Sequence, residues 1–390
     1  MARVWSRLLV GATVLLAAML LRASPAAAYP QWQLLAGSAR CNQCHYAPAG
    51  GGLINSYGRD AAGEDLSTFG GNGALLHGTV PMPAWLALGG DARGAFVAND
   101  VQDPSGSTDA VFPMQADLYA RFAIPGGVSI YGTGGLRGHA RAGDDLVPDQ
   151  NYQPQTASRL ISREHWAMWQ PSALGPYIRA GRFFAPYGLR LAEHITYVRR
   201  DLGFNQLEES YNLSAGAVYE AWELHATLFG PDIIRHVGSD EKGLAIYFER
   251  RLLADTLVLG AQTRLASGPG LTRFIFGGVG KYWLAPARTM FIAELNVAQM
   301  LFDSDALGTR GQLVGAAGAV FTPLKGLLIT LLGERKQVDL QVRDSATNAA
   351  TLLLNWFPYA HVEVQMMGRL QFPAGEPTAK TFLAQVHYYL

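Results

Sequence analysis

Cysteine is nearly absent from this chain: Cys41 and Cys44 are the only two among 390 residues. That leaves no thiols for a disulfide framework or for a zinc site of four cysteines. Charge is scarce and balanced, with 16% of residues charged and a formal net charge of zero, so no basic surface argues for a nucleic-acid partner. Past Leu21 no apolar run approaches the roughly 18 residues that a membrane-spanning helix needs, which excludes a helical membrane protein. A transmembrane β-barrel stays open, because its strands alternate in polarity.

The two cysteines stand together as Cys41-Asn42-Gln43-Cys44-His45. Thiols at this spacing can bond to the two vinyl groups of a haem, and the histidine that follows is placed to be the proximal iron ligand. This is the pattern of covalent c-type haem attachment, one haem per chain. A zinc half-site and a thioredoxin-like dithiol use the same two thiols. The first would need a second ligand pair at regular spacing and the second a βαβ pattern nearby, and the sequence supplies neither. Ahead of the motif lie Arg3 and Arg7, the uncharged and largely apolar stretch Leu8 to Leu21, and the small residues Ala26-Ala27-Ala28. That is the layout of a secretory signal peptide over residues 1–28, with Tyr29 as the first mature residue.

From about Gly90 onward the pattern has period two. Gln115, Asp117, Tyr119 and Arg121 alternate with Ala116, Leu118, Ala120 and Phe122. Glu223, His225 and Thr227 alternate with Trp222, Leu224, Ala226 and Leu228, and Glu294 and Asn296 with Phe291, Ala293, Leu295 and Val297. In His361 to Phe372 the polar set is His361, Glu363, Gln365, Arg369 and Gln371, set against Val362, Val364, Met366, Leu370 and Phe372. Such alternation predicts strands with one apolar and one wet face.

A soluble sandwich alternates too, so connection lengths decide. Tight turns at Pro125-Gly126-Gly127, Pro171 to Pro176, Ala285-Pro286, Pro323-Leu324 and Phe357-Pro358 alternate with longer, more polar links. Those links are Gln102–Ala110, Ala142–Ala157, Pro186–Glu208, Pro231–Lys242, Phe302–Thr309, Val338–Ser345 and Pro373–Thr378. Short turns at one end and long loops at the other are the asymmetry of an outer-membrane barrel. Aromatic residues gather beside the short turns, at Trp169, Tyr219, Trp222, Tyr282-Trp283, Trp356-Phe357 and Tyr359, where an interfacial girdle would put them. The expectation for residues 90–390 is an all-β fold, a transmembrane antiparallel β-barrel of about 16 strands, wide enough for an aqueous lumen.

Residues 29–89 form the small haem-binding segment, which is of a size that rarely folds without a staple. Haem could serve as one. Gly50-Gly51-Gly52 directly after the motif suggests backbone packed close to the porphyrin, or a flexible linker. For the sixth iron position the segment offers His77 and Met82; an open iron is the third option.

Several stretches carry a family likeness. Phe382, Ala384, Val386, Tyr388 and Leu390 alternate to the last residue and look like the terminal strand signal of bacterial outer-membrane barrels, although that family usually ends in Phe or Trp. Gly181-Arg182-Phe183-Phe184-Ala185-Pro186-Tyr187-Gly188 resembles a stretch of some bacterial porins, and sixteen-stranded porins typically fold their third loop into the lumen. Arg182, Arg190, His194, Arg199 and Arg200 are on that ground candidate constriction residues setting ion preference, with an ordinary solvated loop as the alternative. Ser38-Ala39-Arg40-Cys41, His45-Tyr46-Ala47-Pro48 and Leu53-Ile54-Asn55-Ser56-Tyr57-Gly58-Arg59 resemble the N-terminal segment of bacterial proteins that fuse a monohaem cytochrome c region to a porin-like outer-membrane barrel. The resemblance implies electron transfer at the outer membrane, with periplasmic or extracellular redox proteins and membrane lipid as partners; many porin-like barrels are homotrimers. A solute porin with the haem segment as plug or anchor, and a haem peroxidase, are the competing functions.

Overall fold

The computed structural model describes residues 40–100, 108–137, 160–204, 208–231, 240–303 and 308–390. The expected signal peptide and the loop Ala142–Ala157 lie outside them.

Seventeen strand segments follow one another: β1 Leu86–Asp100, β2 Thr108–Ile124, β3 Val128–Arg137, β4 Leu160–Ile161, β5 His165–Trp169, β6 Gly175–Phe183, β7 Ser210–Val218, β8 Trp222–Gly230, β9 Lys242–Leu252, β10 Leu257–Gly268, β11 Leu271–Leu284, β12 Thr289–Phe302, β13 Thr309–Leu324, β14 Leu327–Gln337, β15 Ala346–Trp356, β16 Val362–Pro373 and β17 Ala379–Tyr389. Each pairs antiparallel with its neighbours, and β1 pairs with both β2 and β17, so the sheet closes on itself. The short segments β4 and β5 both pair with β3. They are two pieces of one strand, and the barrel therefore has sixteen staves, the number expected from the short turns and long connections. The first stave opens at Leu86, slightly ahead of Gly90.

The two faces of the strands are the reverse of those in a soluble barrel. On β12, Leu295 is 53% exposed, whereas its neighbours Glu294 and Asn296 are 3% and 1% exposed. On β8, Glu223, His225 and Thr227 are buried while Leu224 and Leu228 are exposed. An apolar exterior around a polar interior is stable only where lipid replaces water outside. Trp169, Tyr219, Tyr282, Trp356 and Tyr359 are exposed next to short turns, as a girdle requires, but Phe357 is fully buried and faces inward.

Residues 40–68 pack into the short-turn end of the barrel, and the stretch from Leu76 to Trp85 is largely exposed. Asn42 Nδ2 donates to the carbonyl of Ala173 in the turn after β5. Thr68 N donates to Phe357 O at 2.8 Å, Phe69 N to Pro358 O at 2.9 Å, and Thr68 Oγ1 to Lys325 O at 2.9 Å, which fastens the segment to the turns after β13 and β15. Gly326 makes room for this, since a Cβ there would strike the Thr68 side chain. The segment is thus a plug tied to its own wall.

The third long connection also turns inward. Tyr187 OH donates to Asn296 Oδ1 at 3.0 Å, Gly188 N to Gln262 Oε1 at 2.9 Å, Leu189 N to Glu294 Oε2 at 2.7 Å and Tyr197 N to Glu334 Oε1 at 2.6 Å. Four hydrogen bonds to inward side chains of β10, β12 and β14 hold residues 184–204 across the lumen. The solvated-loop alternative does not describe this segment.

Candidate functional site

The motif itself is a single helical turn, Cys41–Cys44. His45 leaves that turn in extended conformation and pairs with Ile54 in an isolated bridge. Asn55 then does two jobs. Its side chain accepts from Gly58 N at 2.9 Å, capping the helix Ser56–Ala61, and donates to Gln43 O at 2.9 Å, tying that helix back to the motif. Helix and motif touch so closely that a Cβ at Gly58 would collide with the Cys44 carbonyl.

Gly50, Gly51 and Gly52 all have positive φ, at 81°, 80° and 60°, the left-handed region that glycine enters at little cost. A Cβ on Gly50 would lie 3.0 Å from Cys41 Cβ and 3.8 Å from His45 Cδ2, and one on Gly51 would meet nothing within 4 Å. The tight turn brings bare backbone against the motif on one side and leaves open space on the other.

Two cavities meet at His45. One, of about 300 Å³, is lined by Cys44, His45, helix residues Gly58 and Ala61, and wall residues of β1, β2, β16 and β17. The other, of about 250 Å³, is lined by Cys41, His45, Gly50 to Gly52, Tyr131, Arg163 and the infolded loop. Their combined size falls in the usual range for a bound small molecule or cofactor. Cys41, Cys44 and His45 are 5%, 8% and 5% exposed, and no disulfide joins the thiols.

Burial pushes the Cys44 thiol up to about 12 and raises that of Cys41. Redox-active Cys-x-x-Cys pairs work through a lowered pKa, so these thiols are not poised for dithiol exchange. Burial holds His45 down at about 4, partly offset by hydrogen bonding to the backbone of Gly51 and Gly52. A neutral imidazole anchored by backbone is the form in which histidine ligates a metal. Among the described residues, no group of three or more His, Cys, Asp or Glu side chains is arranged to hold a metal ion by itself.

The surroundings fit a covalent haem. Cys44 and His45 line the first cavity and Cys41 and His45 the second, and cations pair favourably with a haem's propionates. Arg163 lines the second cavity; its Nε bonds to Asp117 at 2.8 Å, while its buried Nη2 has no partner among the described residues.

Of the constriction candidates, Arg182 sits in the wall, bonded to the carbonyls of Ser162 and Arg163 and to Glu209 at 3.3 Å. Arg190 joins the carbonyl of Ala49 in the plug, at 2.9 Å, to Glu223 in the wall, at 3.2 Å. Arg199 staples the loop to itself through Leu191 O at 2.6 Å, and Arg200 pairs with Asp201 at 3.3 Å. His194 lines the first cavity; burial and the charges of Arg199, Arg93 and Arg163 hold its pKa at about 4. The distal candidates are elsewhere. His77 is exposed, its ring edge-on to that of His361 with centroids 4.6 Å apart, and neither His77 nor Met82 lines either cavity.

Two cavity residues escaped the sequence reading of the site. Glu363 and His387 project from adjacent strands into the first cavity, with His387 Nδ1 2.9 Å from Glu363 Oε2. The period-two pattern places Glu363 on the wet face but says nothing of what it faces.

No family model and no curated protein matches this chain. Solved structures do. The outer-membrane-expressed OmpT of Vibrio cholerae superposes with a TM-score of 0.60 over 80% of this chain and 100% of its own, at 9% identity. The fold is that of an outer-membrane porin. An anion-selective porin from Comamonas acidovorans gives a TM-score of 0.55 at 11% identity, covering 78% of this chain and 99% of that one, and the channel DcaP of Acinetobacter baumannii gives 0.55 at 10%, covering 78% and 97%.

Proposed function

We propose that this porin-like barrel resides in a bacterial outer membrane and carries one haem c, attached through Cys41 and Cys44 with His45 as ligand, for electron transfer at or across that membrane. The observation that carries the proposal is the position of Cys41, Cys44 and His45: they open onto cavities inside a barrel whose plug and third loop are hydrogen-bonded to the wall. Such a lumen suits an electron path better than a stream of solute. A bound haem would supply one-electron redox chemistry there. The chain's own residues would attach it, exclude bulk water and offer cations to its carboxylates. The lipid-facing band of such a barrel is about 25 Å tall, so a single haem calls for periplasmic or extracellular redox partners on either side.

A second reading, a solute porin with the segment as plug, is favoured by the comparisons, whose named structures include channels and an anion-selective porin. One of them is described as a trimer form, and a homotrimer is part of either reading. Outer-membrane fractions run heated and unheated on a gel, stained for haem, test both. A heat-shifting band with covalent haem supports the electron-transfer reading. A heat-shifting band without haem, and with steady conductance in planar bilayers, supports the porin reading instead.

A further inference from the structure

The first cavity holds a histidine prepared in a way that His45 alone does not explain. His387 sits on β17, the strand that closes the barrel, and is fixed on both sides by pairing with Arg93 of β1 and Glu363 of β16. Its Nδ1 is 2.9 Å from Glu363 Oε2, and that carboxylate is itself oriented by Asn355 Nδ2 at 2.6 Å from Oε1. Its Nε2 is buried and has no hydrogen-bond partner among the described residues. A buried nitrogen left without a partner is unfavourable, and a carboxylate-held imidazole with its other nitrogen free is the arrangement that metal-ligating histidines show. The same cavity is lined by Cys44 and His45.

We propose that His387, oriented by Glu363 and Asn355, supplies the second axial position of the haem attached at Cys41 and Cys44. This rests on the haem reading above and goes beyond it, because it moves the distal ligand from the plug to the barrel wall. Plug and barrel would then be joined through the iron as well as through the chain, and the closing strand would be part of the redox centre. Two histidine ligands would also set a lower potential than a His/Met pair.

The test uses the full-length haem-loaded protein purified from outer membranes, with absorption and EPR spectra as readouts. The wild type is expected to be low-spin with two imidazole ligands and without a thioether-to-iron band. His387→Ala is expected to become high-spin and to regain the low-spin spectrum on addition of free imidazole, while His77→Ala, Met82→Ala and His194→Ala keep the wild-type spectrum. Glu363→Gln, which preserves shape, is expected to stay low-spin with a raised potential. The proposal is overturned by a low-spin His387→Ala, by a thioether band in the wild type, or by the same spin change in His194→Ala. Should His387→Ala fail to assemble, His387→Met is the second variant: a thioether band that appears only there sustains the proposal, and an unchanged bis-imidazole spectrum overturns it. Absence of covalent haem from the wild type would be a failure of the haem reading itself, which the haem stain detects beforehand.

Discussion

At the scale of single residues, the close approach of Gly58 to Cys44 is the contact that couples the helix to the motif. Gly58→Ala forces the helix Ser56–Ala61 away from the motif, an overpacking change of about 1–3 kcal/mol. Less haem bound per chain, at unchanged barrel content, is the expected outcome, measured by haem staining against total protein. Replacing both Cys41 and Cys44 with Ala should abolish covalent haem while leaving the heat-dependent gel shift intact, since neither side chain takes part in the barrel's strand pairing. The candidate haem motif is read from five adjacent residues, because the attachment it proposes is a local chemistry. His387 and Glu363 were not, because what brings them to His45 is closure of a barrel between residues more than three hundred positions apart.

Among the elements, the strands were the most legible. Their alternation records a boundary between lipid and a wet lumen, and sequence reports that boundary directly at Glu294, Leu295 and Asn296. Leu295→Arg should therefore cost about 2–4 kcal/mol if it lies near the bilayer midplane, seen as a lower denaturant midpoint for refolding into bilayers, whereas Asn296→Gln should change it little. Connections were read less well. The turn at Gly268-Pro269-Gly270 sits at the long-loop end yet is tight, and the stave made of β4 and β5 is broken, so loop length alone misleads at both places. The infolded loop depends on acceptors from distant strands. Glu294→Ala removes the acceptor of Leu189 N, leaving a buried donor unpaired at about 1–3 kcal/mol. Limited trypsin digestion should then cut at Arg190 or Arg199 faster than in the wild type.

For the whole molecule, the infolded state is tied to pH through His194. Its pKa falls from 6.5 to about 4 on folding, so the neutral ring is favoured inside. The resulting stabilisation is complete above pH 6.5 and is lost as pH falls from 6.5 towards 4, when a cation must form beside Arg199, Arg93 and Arg163. Protease sensitivity of the loop should rise over that interval and stay flat in His194→Gln.

The burial of Cys41 and Cys44 also imposes an order of events. Cys41 and Cys44 are buried inside the closed barrel, and the plug is held by the turns on which it rests. On the haem reading, loading would precede the pairing of β1 and β17. Maturation would then have a deadline, and haem offered to protein already assembled without it is expected to give no covalent product.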